Sequence, residues 1–202
     1  MQREPAARKH LEGFDPSQSP RFQWRDEPIP DTPRVSIQTE LGDIEVELDY
    51  RRAPRTVENF LRYVHEGFYS NGEFFRTVTP SNQPEDPVKI EVIQARADPA
   101  KTGSLFPPIR LERTRDTGLR HLDGTISMAR AEPDSAQHDF FVCVGDQPEL
   151  DYGGKRTPDG QGFAAFGRVV KGMDLVRTIH NADATQQQLS PPVRIQRAVR
   201  LN

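Results

Sequence analysis

The feature that most constrains the fold of this chain is a series of short segments in which every second residue is apolar. The first two segments, 35–39 and 44–48, flank a turn at Leu41-Gly-Asp43. Successive side chains of a strand point to opposite faces, so this pattern predicts a β-hairpin with one buried face. Further strand candidates lie at residues 74–79, 89–94, 109–112, 124–130, 139–144, 163–170 and 193–201.

Two segments carry a helical period instead. After Pro54, which suits a first helical turn, apolar residues recur at i, i+3, i+4 and i+7 until Gly67, and a second helix is predicted at 173–180. The strands follow one another without the regular alternation of strand and helix that builds a parallel sheet. The sequence therefore predicts a mainly β protein, a closed or nearly closed antiparallel barrel of about eight strands capped by two helices.

Residues 1–33 differ from the rest of the chain, because they are rich in proline and charge and poor in aliphatic residues. Such a composition buries too little apolar surface to form a core of its own. We therefore predict a proline-rich, charged N-terminal extension at 1–33 and a globular domain at 34–202. The aromatic residues Phe14, Phe22 and Trp24 leave two states open for the extension, docked on the domain or free as a linker.

Composition excludes several classes of function. The net charge of −3 and the isoelectric point near 6.0 give no reason to expect nucleic acid or an anionic membrane as a partner. No apolar run is long enough to span a bilayer. The single cysteine, Cys143, excludes an internal disulfide framework, and its apolar neighbours predict a small core residue. The histidines lack zinc-like spacing, so neither a metal nor a cofactor is expected.

The start of the chain shows no apolar signal segment. We expect a soluble monomer, either cytoplasmic or exported after the removal of a signal that this chain does not contain.

The most informative strands are those predicted at 124–130 and 139–144. The second strand contains adjacent aromatic residues, Phe140 and Phe141. Because neighbouring side chains of a strand lie on opposite faces, one ring is expected to fill the core while the other faces a groove. Upstream, Arg76 lies inside an apolar strand candidate, where a charged residue is uncommon unless it is paired or functional.

These features form an ordered set of motifs along the chain. The set consists of Phe74-Phe-Arg-Thr-Val78, Val92-Ile-Gln94, Gly124-Thr-Ile-Ser-Met-Ala-Arg130, Asp139-Phe-Phe-Val-Cys-Val144, Glu149-Leu-Asp151 and the segment 163–174. It resembles the cyclophilin family of peptidyl-prolyl cis/trans isomerases, and the resemblance runs from about Val35 to Leu201. The resemblance implies an eight-stranded barrel with a helix at each end and an active groove on its outer wall.

The resemblance also implies a role for individual residues. Arg76 matches the catalytic arginine, which donates towards the prolyl nitrogen and weakens the double-bond character of the Xaa–Pro bond. Gln94 matches the glutamine that binds the substrate backbone and helps to hold the arginine. Phe141 matches the floor of the proline pocket. The remaining substrate-binding positions are Ala129, Ala131, Leu150, Val92 and Phe163.

The chain departs from the usual family residues at several positions of the groove, namely Glu91-Val92, Ala95-Arg96, Arg130, Asp139, Glu149 and Phe163. Glu91-Val92 replaces a usual Phe-Met, so one wall of the pocket lacks an aromatic side chain. A carboxylate in an apolar pocket is costly unless it is paired. Glu91 would therefore either pair with Arg76 and mask it or be moved away by the long loop before Gln94. In both cases we expect proline to be held more weakly than in a typical member.

The resulting hypothesis is a peptidyl-prolyl isomerase that acts on proline-containing peptides or unfolded protein chains and assists their folding. One alternative is a catalytically weak or inactive peptide-binding module with the same fold, which the altered groove motivates. Another is an autoinhibited protein in which Trp24 or a proline of the extension lies in the groove.

Overall fold

The computed structural model describes residues 28–201. The predicted extension lies mostly outside these residues, as do Phe14, Phe22 and Trp24. The last residues before the barrel lie against it, because Pro33 O accepts a hydrogen bond from Leu48 N (2.9 Å) and Asp31 O accepts one from Tyr50 N (3.0 Å).

Antiparallel strands and short helices build the described part of the chain. The strands are β1 (Arg34–Thr39), β2 (Gly42–Leu48), β3 (Glu73–Val78), β4 (Val92–Arg96), β5 (Thr125–Met128), β6 (Phe140–Cys143), β7 (Ala164–Lys171), β8 (Ala184–Thr185) and β9 (Gln188–Leu201), and the helices are α1 (Pro54–His65), α2 (Thr114–Thr117) and α3 (Met173–His180). The order β1-β2-β7-β5-β6-β4-β3-β9 closes on itself, since β9 also pairs with β1. The predicted eight-stranded antiparallel barrel is therefore confirmed, and β8 adds a two-residue hairpin arm on β9.

The barrel core contains inward-facing side chains of these strands, among them Ile37, Val46, Ile93 and Phe166, all at most 1% exposed. Helix α1 packs on β7 and β9, whereas α3 packs on β2, β3 and β4.

The strand predicted at 109–112 is wrong. The segment forms one isolated bridge, between Ile109 and Ala136. Glu112 instead accepts hydrogen bonds from the backbone N–H groups of Arg55 (3.2 Å) and Thr56 (2.9 Å), which open α1. The segment thus caps a helix, whose first N–H groups have no partner inside the helix.

Two strands begin three or more residues away from their predicted starts. β4 begins at Val92 and not at 89, whereas β9 begins at Gln188 and not at 193. The residues before β4 follow the long loop, where side chains hold the backbone at Val88 and Ile90, as described below.

Candidate functional site

Phe140 and Phe141 lie on opposite faces of β6, as predicted. Phe140 joins the barrel core, where it packs edge-on against Phe60 (5.5 Å between ring centroids). Phe141 belongs to a separate cluster on the outer face. We call this group the outer cluster, and its members are Val78, Ile90, Val92, Phe141, Cys143 and Leu150, with Ala129 and Phe163 packed against them.

A β-bulge brings Arg76 to the same outer face. Phe74 pairs with Ala95 and Arg76 pairs with Gln94, so Phe75 is an extra residue in β3. Without it, Arg76 would point into the barrel beside the buried Phe74. A bulge of this kind turns a side chain towards the other face, and bulges are common beside active sites.

Two glutamines hold the Arg76 guanidinium. Its Nη1 donates to Gln94 Oε1 (2.9 Å), while its Nε (3.0 Å) and Nη2 (2.6 Å) donate to Gln187 Oε1. Gln94 is oriented in turn, because its Nε2 donates to Asp139 Oδ2 (3.2 Å). Burial lowers the pKa of Arg76 from its usual value, but an arginine stays charged at neutral pH. The site therefore presents a fixed positive donor.

The outer cluster unites five of the predicted substrate-binding residues. They are Phe141, Val92, Leu150, Ala129 and Phe163. Phe163 stands edge-on to Phe141, with ring centroids 5.4 Å apart and planes at 89°. Gln94 pairs directly with Phe141 in the sheet, so the cluster begins next to Arg76. Cys143 is fully buried here, and burial raises the pKa of its thiol well above the usual range, which agrees with a packing role.

The buried side chain of His121 packs against Phe141 and is itself held by hydrogen bonds. The His121 ring lies parallel to the phenyl ring, with centroids 5.9 Å apart and planes at 15°. Its Nδ1 is 2.7 Å from Asp151 Oδ1 and its Nε2 is 2.9 Å from Ser127 Oγ. A carboxylate only accepts, so Nδ1 carries a hydrogen. Ser127 is fully buried, so this Ser-His-Asp sequence of contacts cannot act on a substrate as a hydrolase triad would.

Arg130 fixes the loop that leads to Phe163. Its side chain is 1% exposed, donates from Nη1 and Nη2 to the two oxygens of Asp159 (2.9 Å each), and donates from Nε to Gly162 O (2.8 Å). The guanidinium carbon lies 5.1 Å from the centre of the Phe163 ring, within range of a cation–π contact.

The position of Glu91 decides between the two alternatives left open by the sequence, because the carboxylate lies away from Arg76. Glu91 neither enters the outer cluster nor pairs with Arg76, and its carboxylate lies 3.8 Å from His180 Nε2 on another side of β4. Ile90 occupies the cluster instead and is 7% exposed. This part of the outer cluster is therefore apolar, with an aliphatic and not an aromatic side chain.

Two side chains hold the backbone around Ile90. Gln83 Nε2 donates to Ile90 O (2.7 Å). Arg156 Nη1 reaches from the neighbouring loop to Gln83 Oε1 (3.0 Å) and Val88 O (2.7 Å). Side-chain hydrogen bonds thus hold Val88 and Ile90, while Glu91 O accepts from Val144 N (3.0 Å) just beyond β6.

The remaining positions singled out in the sequence lie outside the outer cluster. Ala131 is exposed and its N–H bonds to Ser135 Oγ (3.2 Å), so it lies outside the outer cluster. Glu149 turns back to its own loop, where Oε2 accepts from Lys155 N (2.8 Å). Residues that sequence reasoning missed are Gln187, Ile90 and His121. Gln187 carries no motif signal, because it lies in a turn 111 residues from Arg76.

Within residues 28–201, no helix combines the length and the apolarity needed to cross a membrane.

Comparisons with known proteins agree with this geometry. The family description "cyclophilin type peptidyl-prolyl cis-trans isomerase" matches residues 34–200. The chain is 39% identical over 170 residues to peptidyl-prolyl cis-trans isomerase A of Dickeya dadantii, covering 81% of this chain and 82% of the relative. It is 37% identical over 146 residues to the isomerase cyp18 of Streptomyces antibioticus, covering 72% and 81%.

The fold matches solved structures as well. A cyclophilin-type isomerase of Cryptosporidium parvum superposes with a TM-score of 0.66 at 22% identity, covering 85% of this chain and 98% of that one. A second crystal structure of that protein, in the presence of the dipeptide Ala-Pro, gives a TM-score of 0.67 at 20% identity, covering 84% and 99%. The chain belongs to the cyclophilin-type peptidyl-prolyl cis-trans isomerase family.

Proposed function

We propose that this isomerase rotates Xaa–Pro bonds in the groove between Arg76 and the outer cluster. The observation that carries the proposal is the position of a charged donor beside an apolar surface on the outside of the barrel. Both side chains that accept from Arg76 are neutral amides, so no carboxylate among the described residues takes its charge through a hydrogen bond.

The chemistry requires no covalent step. Resonance in the amide gives the Xaa–Pro bond a rotation barrier of about 20 kcal/mol. When the prolyl nitrogen becomes pyramidal its lone pair is localised, and an N–H of Arg76 directed at it stabilises that state more than the planar one. Such differential stabilisation by a preorganised donor lowers the barrier.

The outer cluster would hold the proline ring while the other side of the bond turns. Phe141 is the proposed floor, and Val92, Leu150 and Phe163 are the proposed walls, completed by Ile90. Gln94 would bind the substrate backbone, and Ala129 leaves room for the residue before proline. Ala131 would contribute at the exposed margin.

The proposed substrates are proline-containing peptides and unfolded chains, bound by a monomer. The Cryptosporidium relative crystallised in the presence of Ala-Pro, and a small residue before proline suits the space beside Ala129. Aliphatic Ile90 and Val92 offer less contact area than aromatic side chains, so we expect weak binding of proline relative to a typical family member.

The test is NMR exchange spectroscopy of a short Ala-Pro-Phe peptide with the wild type and Arg76→Ala. We expect the wild type to accelerate cis/trans exchange and the variant to lose most of this acceleration. An alternative function, peptide binding without turnover, predicts that the wild type shifts the peptide resonances but leaves exchange at the uncatalysed rate.

A further inference from the structure

Gln187 contacts Arg76 more extensively than Gln94 does. Its Oε1 accepts from Nε (3.0 Å) and Nη2 (2.6 Å) of the guanidinium. Its Nε2 donates to Asn82 O (3.0 Å), and its backbone oxygen accepts from Thr77 N (2.9 Å). Because both ends of the amide are used, Oε1 is held in one orientation.

The two glutamines hold different edges of the guanidinium. Gln94, on β4, binds Nη1, whereas Gln187, in the turn before β9, binds the edge formed by Nε and Nη2. An arginine has five N–H donors. Three are used here, so one N–H on each Nη remains for a substrate.

The backbone at Gln187 is in a conformation that glutamine does not favour. Thr185 pairs with Gln188, which leaves a two-residue turn with φ of 49° at Gln186 and 74° at Gln187. Hairpin turns with two positive φ values strongly prefer Asn-Gly. Strained backbone positions of this kind concentrate at functional sites.

A functional role for the Gln187 side chain would explain why glutamine occupies this position of positive φ. Its length lets Oε1 reach Arg76 from the turn while Nε2 reaches Asn82. A carboxylate of the same length would make the same contact with Arg76 but would also cancel its charge. The amide orients the guanidinium and leaves the charge available.

We propose that Gln187 is a positioning residue that, together with Gln94, orients the Arg76 guanidinium for rotation of the Xaa–Pro bond. This inference rests on the proposed function of Arg76.

The test is Gln187→Asn, with Gln186→Asn as the matched control. Asparagine tolerates positive φ better than glutamine does, so neither variant adds backbone strain to the turn. The shorter side chain at 187 cannot keep both contacts. We expect roughly a tenfold loss of catalysed exchange, mainly in kcat, as for one lost interaction with a charged group. Gln186 is exposed, and its variant should exchange like the wild type.

Repeating the test in an Arg76→Ala protein distinguishes a failure of this inference from a failure of the proposed function. If Gln187 acts through Arg76, Gln187→Asn should cause no further loss in an Arg76→Ala protein. Two results would overturn the positioning role. One is a similar loss of catalysed exchange in both backgrounds, and the other is a Gln187→Asn variant that catalyses exchange at the wild-type rate. Wild-type exchange by Arg76→Ala alone would instead overturn the proposed function.

Gln187→Glu provides a further variant that keeps the side-chain length. We expect the contact with Arg76 to persist and catalysed exchange to be lost, because the carboxylate neutralises the charge of Arg76 and cannot donate to Asn82 O as the amide does. Wild-type exchange by this variant would overturn the requirement for a neutral partner.

Discussion

The Arg130 guanidinium and the Asp159 carboxylate form a bidentate pair, with two hydrogen bonds of 2.9 Å across 29 residues of sequence. The Arg130 side chain ties the loop before Phe163 to the residues that follow β5. Phe163 stands edge-on to Phe141 at the end of this loop.

Arg130→Ala should therefore loosen the pocket wall. Removing the side chain leaves Gly162 O without the Arg130 donor and leaves the Asp159 carboxylate with only its hydrogen bonds from Thr157 and Gln161. We expect the free energy of unfolding to fall by roughly 2 kcal/mol. The KM for a proline peptide should rise several-fold while kcat changes less, because Arg76 is not touched. Arg34→Ala is the control, since it removes an exposed arginine paired with Glu47 at 2.8 Å and should leave KM unchanged. Equal KM values for the two variants would contradict this prediction.

The same pair predicts a specific pH dependence of stability. The hydrogen bonds from Arg130 lower the pKa of Asp159 from 3.8 to about 2. A lowered folded-state pKa means that the contribution to stability is complete above the unfolded value and is lost as the pH falls towards about 2. The difference in unfolding temperature between wild type and Asp159→Asn should thus be constant from pH 7 to about 5 and shrink between about 4 and 2. A difference that stays the same at pH 2 would show that the ionised carboxylate of Asp159 does not stabilise the folded protein.

Ile90 and Glu91 form a second matched pair of variants. Ile90→Ala removes apolar contact from the outer cluster, so it should raise the KM for a proline peptide and cost about 2 to 4 kcal/mol of stability. Glu91→Gln changes a side chain that lies near His180, away from the cluster, and should leave the KM as in the wild type. Steady-state exchange rates at several peptide concentrations distinguish the two. A raised KM in Glu91→Gln alone would place the carboxylate in the pocket after all.

Gly162 and Gly160 test the packing of the loop before Phe163. Both have positive φ, 65° and 61°, so alanine suffers similar backbone strain at either position. At Gly162 a Cβ would lie 2.6 Å from Leu150 O and from the carbonyl carbon of Asp151, whereas at Gly160 nothing lies within 4 Å. Thermal unfolding should show Gly162→Ala to be clearly less stable than Gly160→Ala. Equal unfolding temperatures would mean that the loop moves aside without cost.

Much of the fold could be predicted from local sequence, because the causes are local. Alternation of apolar residues determines which face of a strand is buried, and it correctly separated Phe140 from Phe141. The motifs around Arg76, Gln94 and Phe141 indicated the family, which the comparisons confirm. The strand predicted at 109–112 failed because a short segment of alternating apolar and polar residues does not reveal whether a neighbouring strand is free to pair with it.

The sequence by itself thus determined the strand faces, the barrel class and the residues that match the family motifs. Only the tertiary structure decided which side chains surround Arg76. The extra residue at Phe75 turns Arg76 outwards. The loop before β4 places Ile90 and not Glu91 in the outer cluster, and the turn between β8 and β9 brings Gln187 to the guanidinium. Each depends on the register between strands far apart in the chain, where a shift of one residue moves a side chain to the opposite face.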